Sequence, residues 1–237
     1  NVLLSSSLSF LWGMINALQL MVNIPLFTIS FPANTQMFYS FIVSIATFDI
    51  IPMDAIQEKL FSFTETEAKN QQFDNLGISS TNIIENLGTI FLVLFGLVSL
   101  ILAIVLFKLL AKKFALIKKI ERAISRILFF NAILRFMLEG YLLFIITSLV
   151  NIQELSYDTK GDSFSSVLAI SFLVVGVTFP ILVGGFLFGF KAKLSRESFV
   201  ERSSALYANL RVNSAPALFF TVLFVTRRLV FALICVQ

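Results

Sequence analysis

The 237-residue chain is 57% hydrophobic and only 14% charged, with a mean hydropathy of +0.90. Soluble domains carry about 25% charged residues, so an ordinary water-soluble fold is excluded. A single cysteine, Cys235, excludes a disulfide scaffold, and the lack of histidine argues against histidine-ligated metal or histidine-based catalysis. The net charge of +4 is small and gathers in two segments; basic clusters this close to lipid are a poor fit to nucleic acid.

The chain opens on Asn1 rather than Met and stops at Gln237, in or just after an apolar run, and so reads as part of a longer protein. Residues 1–11 lack the basic start and small-residue cleavage pattern of a signal peptide. Residues 1–48 hold no charge at all, enough for two crossings at about 20 residues each. The first run is 3–20. Pro25 and Pro32 then interrupt helix, and a short second run follows at 37–51, to be read as a thin span or as a re-entrant or interfacial helix. Three runs of full length come next, at 87–110, 129–150 and 167–190. The last, 215–236, is divided by Arg227 and Arg228. Two readings compete there: a full span with both arginines deep in lipid, or a span starting at 229 with the arginines at its entrance. The second is favoured because it keeps charge at a boundary.

Loop charge sets orientation. Residues 108–135 carry eight basic residues and one acid, and 191–211 carry five and two; 49–85 carry seven acids and two lysines, and 151–163 three and one. Basic segments lie inside. The predicted fold is an all-α polytopic transmembrane bundle of about six spans, one multi-pass domain over 1–237, with its N-terminus outside. Its outer polar loop is 52–86, and 108–130 and 191–214 are basic inner loops. If 37–51 does not cross, the direction of the first run reverses and the later topology survives.

Polar residues inside apolar runs are the candidate sites. Asn16, Gln19 and Asn23 follow at helical spacing and form one stripe, suited to interhelical hydrogen bonding or to lining a polar path. Arg135 and Glu139 stand i, i+4 and read as a self-neutralising pair, a gating or substrate contact, or a snorkelling cation. Arg227 and Arg228 complete the intramembrane set. Lys112, Lys113, Lys118, Lys119, Arg122 and Arg126 follow a span directly; they set topology and suit anionic headgroups. Gly184, Gly185 and Gly189 after Pro180 suit a bend or a close helix approach. No cofactor or metal is expected, and no enzyme chemistry. Membrane lipids, anionic ones among them, and further membrane or extracellular proteins are the expected partners.

The strings Trp12-Gly13-Met14-Ile15-Asn16-Ala17-Leu18-Gln19-Leu20, Phe31-Pro32-Ala33-Asn34 and Phe48-Asp49-Ile50-Ile51-Pro52 carry a resemblance, as do Asn86-Leu87-Gly88 and Arg227-Arg228-Leu229. With them the chain resembles the C-terminal multi-pass region of large ciliate surface proteins, which is distantly similar in organisation to transient-receptor-potential and polycystin channels. The resemblance covers most of the chain. It implies a long extracellular Cys-rich repeat region ahead of the membrane part and a plasma or ciliary membrane; no filter, pore helix or catalytic residue carries over. The expected function is a membrane domain that anchors or scaffolds a larger surface protein, with channel-like activity as an extension. A secondary transporter, a receptor-type relay and a structural subunit of a membrane complex are the alternatives.

Overall fold

The structure is a computed structural model, which describes residues 13–14, 16–27, 32–46, 57, 59–110, 131–208 and 210–237. Every regular element among these residues is helical: α1 (Asn16–Phe27), α2 (Ala33–Ala46), α3 (Gln71–Asn75), α4 (Ile83–Leu87), α5 (Thr89–Leu110), α6 (Asn131–Gln153), α7 (Lys160–Gly189), α8 (Glu197–Ser203) and α9 (Ala215–Val236), with short 3-10 turns. Among the described residues four helices, α5, α6, α7 and α9, are long and apolar enough to cross a bilayer. The chain is a helical bundle of the multi-pass membrane kind. α1 and α2 are shorter than the ~20 residues a crossing takes, although α1 continues the 3–20 run, most of which lies outside the described residues.

The chain divides into two compact units, one made of 1–91, 139–177 and 228–237 and the other of 92–138 and 178–227. In the first unit α6 is the central element. Tyr141, Leu142, Phe144, Ile145, Ile146 and Val150 are all buried, as expected of a helix apolar on every side. Tyr141 Oη donates to the Gly176 carbonyl at 2.8 Å, and a Cβ on Gly176 would collide with the Ile145 side chain. The close helix approach is therefore at Gly176. Gly185 and Gly189 face open space, and Gly184 would meet Val222 only at ordinary van der Waals distance. α7 runs through Pro180 as one helix.

The polar segment 59–87 is a folded cap. Asn70 caps α3 by accepting from Gln72 and Phe73 N–H. The helix ends on Gly77 at φ 76°, where Ile78 N–H reaches the Phe73 carbonyl and Gly77 N–H that of Asp74. Phe73, Leu76, Ile78, Ile83, Ile84 and Leu87 supply its core. Gly88, at φ 47°, separates α4 from the start of α5.

The second unit is built from apolar contacts. Leu194, Leu206, Leu218 and Val225 are buried, and Phe186, Phe190 and Phe199 form a cluster with ring centroids 5.4 to 6.3 Å apart. Two hydroxyls tie the segment after α7 in place: Tyr207 Oη donates to Leu194 O at 3.1 Å and Thr221 Oγ1 to Leu206 O at 2.7 Å. α5 exposes Phe95, Val98, Leu102 and Leu106, and α9 exposes Phe220 and Leu223. Such surfaces are stable only against another apolar phase.

Candidate functional site

α9 is one uninterrupted helix over Ala215–Val236, which corrects the expectation of a span that starts at 229. The physical reason is local satisfaction of the charge. Arg228 is fully buried, at 0% exposure. Its Nη2 donates to the Asn16 side-chain oxygen, to Gln19 Oε1 at 3.2 Å and, weakly, to the Asn16 carbonyl at 3.4 Å. An arginine at the centre of a lipid-embedded helix costs about 2.5–3.5 kcal/mol on insertion scales. Hydrogen bonds to a charged group contribute about 1.5–3 kcal/mol each. Two amide acceptors therefore match the cost, and the helix has no reason to break. Arg227, one residue earlier, is exposed.

The rest of the polar stripe extends the same seam. Asn23 Nδ2 donates to the Gln19 carbonyl at 2.7 Å, and the Asn23 carbonyl faces Cys235 Sγ at 3.9 Å. Phe27 meets Phe231 edge to face with centroids 5.0 Å apart. Asn16 and Gln19 match Arg228 and Asn23 matches Cys235, so α1 up to Asn23 runs parallel to the end of α9, while Phe27, in the turn that follows, meets the earlier Phe231. At 1.5 Å rise per residue, an antiparallel course would carry Cys235 roughly 10 Å beyond Arg228 in the direction away from Asn23. Pro25 explains the local form of the α1 end, since it lacks an N–H and disfavours α geometry before it; Ile24–Phe27 is a 3-10 turn.

A second polar cluster lies at the cap. Asn151 Nδ2 donates to Thr81 O at 2.7 Å and Ser165 Oγ at 3.2 Å, while Ser165 Oγ accepts the Ile83 N–H at 3.0 Å. Asp162 accepts from Thr64 Oγ1 at 2.7 Å and Thr64 N–H at 3.3 Å, and Thr159 Oγ1 donates to Ser62 O at 2.6 Å. A Cβ on Gly161 would collide with that Ser62 carbonyl. Lys69 and Gln153 both donate to the Val236 carbonyl at the end of α9. The acidic segments 59–86 and 151–165 are therefore joined at one end of this unit. Sequence reading missed Asn151 and Asp162; their signal is an amide and a carboxylate set at the ends of apolar runs, beside a glycine in the case of Asp162.

Arg135 and Glu139 occupy successive turns of α6, and both are half-buried. Lys112, Lys113, Lys118, Lys119, Arg122 and Arg126 lie outside the described residues, as does Trp12. Among the described residues no group of three or more Cys, Asp or Glu side chains is placed to hold a metal ion. Known protein families, curated proteins and solved structures contain no match to this chain. The described arrangement can bind helices to one another and hold a buried positive charge on neutral amide oxygens.

Proposed function

We propose that the chain is the membrane-embedded anchor of a larger surface protein, held together by an arginine–amide lock between its first and last helices. The observation that carries this is the wholly buried Arg228 with its guanidinium on Asn16 and Gln19. Two of the three stripe residues spend their side-chain oxygens on that contact and the third turns back onto its own helix, which favours packing over a hydrated path. The resemblance to ciliate surface proteins supports the plasma or ciliary membrane as the location. Reconstituted liposomes test the reading: the anchor conducts no ions, and Asn16→Leu with Gln19→Leu lowers thermal stability and membrane assembly. Ion flux through the wild-type protein, abolished by the same double substitution at unchanged melting temperature, would replace the anchor with a channel.

The parallel course of α1 and α9 supports five crossings. With basic segments inside, α9 runs outward; α1 then runs outward too, and α2 stays on the outer side without crossing. The alternative reading of 37–51 as interfacial or re-entrant fits this course, and the N-terminal end of α1 faces the cytoplasm. An epitope placed ahead of Leu3 is expected to bind antibody only after permeabilisation. Labelling on intact cells would restore an outward-facing start and six crossings.

A further inference from the structure

The second unit contains a cavity of about 1070 Å³, at the upper end of the ~300–1,000 Å³ typical of ligand pockets. Its wall is apolar, built by Phe179, Leu182 and Phe186 of α7 with Phe190 and Phe199. Ser203 and one charged residue, Arg202, both in the last turn of α8, line the same cavity. A second cation approaches a wall residue: Lys193 Nζ lies 5.6 Å from the ring centroid of Phe190, which lines the cavity. The surrounding segment 191–211 carries five basic residues against two acids. Gly185 lines the cavity as well, with open space where a Cβ would be.

An apolar cleft lined by an arginine, with a lysine against one of its wall phenylalanines, matches an amphiphile with a hydrocarbon chain and a negative head. We propose that this groove binds an anionic glycerophospholipid, one acyl chain lying among the phenylalanines and the phosphate on Arg202. The guanidinium offers a planar fork suited to phosphate oxygens. The aromatic wall removes an acyl chain from competition with bulk lipid through shape rather than polarity.

The inference rests on the bundle lying in lipid, and carbonate extraction of the expressed protein checks that premise independently. The test proper is native mass spectrometry of the full chain released from bilayers of equimolar phosphatidylserine and phosphatidylcholine. Wild-type protein is expected to retain phosphatidylserine over phosphatidylcholine by at least about fivefold, the worth of one near-surface cation. Arg202→Gln removes that preference; Arg211→Gln, outside the groove, keeps it. Gly185→Trp fills the cleft and lowers retention of both lipids. Equal retention of the two lipids by the wild type overturns the proposal, as does an unchanged preference in Arg202→Gln or the same loss in Arg211→Gln. A chain that resists carbonate yet shows no preference fails the groove alone; a chain that carbonate extracts fails the membrane anchor.

Discussion

The two units hide polar groups on very different scales. Among the described residues every buried polar or charged side chain except Ser203 and Thr221 belongs to the first unit. There, hydrogen bonds are directional and tie particular residues far apart in the chain, such as Arg228 to Asn16 and Asn151 to Thr81. In the second unit shape alone does most of the work, and packing among phenylalanines leaves a cleft that nothing of its own fills. In lipid there is little hydrophobic drive between helices, so polar contacts and close approach decide which helix pairs with which. The first unit has that specificity and the second has adaptability.

The largest test of this contrast is the arginine lock. Replacing Asn16 and Gln19 together by Leu leaves Arg228 buried without two of its acceptors and is expected to cost about 3–5 kcal/mol. Adding Arg228→Leu removes the charge and regains most of that loss, because an apolar set of similar volume suits the site. Arg227→Leu, on the exposed neighbour, should stay within about 0.5 kcal/mol. Thermal melts in detergent read all three. Equal losses from Arg227→Leu and from the double substitution would erase the distinction between the two arginines.

Much of this was legible in the chain. The three central runs at 87–110, 129–150 and 167–190 correspond to α5, α6 and α7 because length and apolarity are properties of the segment itself. The stripe at Asn16, Gln19 and Asn23 was visible as helical spacing. Its partner was not, since Arg228 is 212 residues from Asn16 and no local pattern encodes a pairing at that separation. For the same reason the sequence favours a span starting at 229: the cost of the charge is local, while the acceptors that offset it come from another helix. The loop 52–86 reads as polar because its Phe73, Ile78 and Ile83 are scattered among polar residues, and only the folded structure shows them to be core.

The cap gives an intermediate test. Asn151→Leu removes the side-chain donor from the buried Thr81 carbonyl, at about 1–3 kcal/mol, while Ser165 Oγ keeps the Ile83 N–H. In the second unit Thr221→Val loses one hydroxyl bond to Leu206 O and is expected to cost about 1 kcal/mol. The same melts rank them. A Thr221 variant as damaging as Asn151→Leu would mean that the second unit depends on polar specificity after all.

The smallest effect belongs to Thr64→Val. The substitution removes the 2.7 Å hydroxyl bond to Asp162 but keeps the Thr64 N–H on the same carboxylate at 3.3 Å, and Thr159 N–H also reaches it at 3.3 Å. With those donors left and Thr64 exposed, the loss should be about 0.5–1 kcal/mol. It should also stay local: faster amide exchange over 62–66 and at the first turn of α7, with the lock around Arg228 unchanged. The lock joins α1 to α9 and the cap joins 59–86 to α6 and α7, with no hydrogen-bond partner in common, so the two should add independently. Exchange that quickens around Asn16 and Gln19 as well would show the cap and the lock to be one cooperative structure, and the first unit would then owe its specificity to coupling rather than to separate contacts.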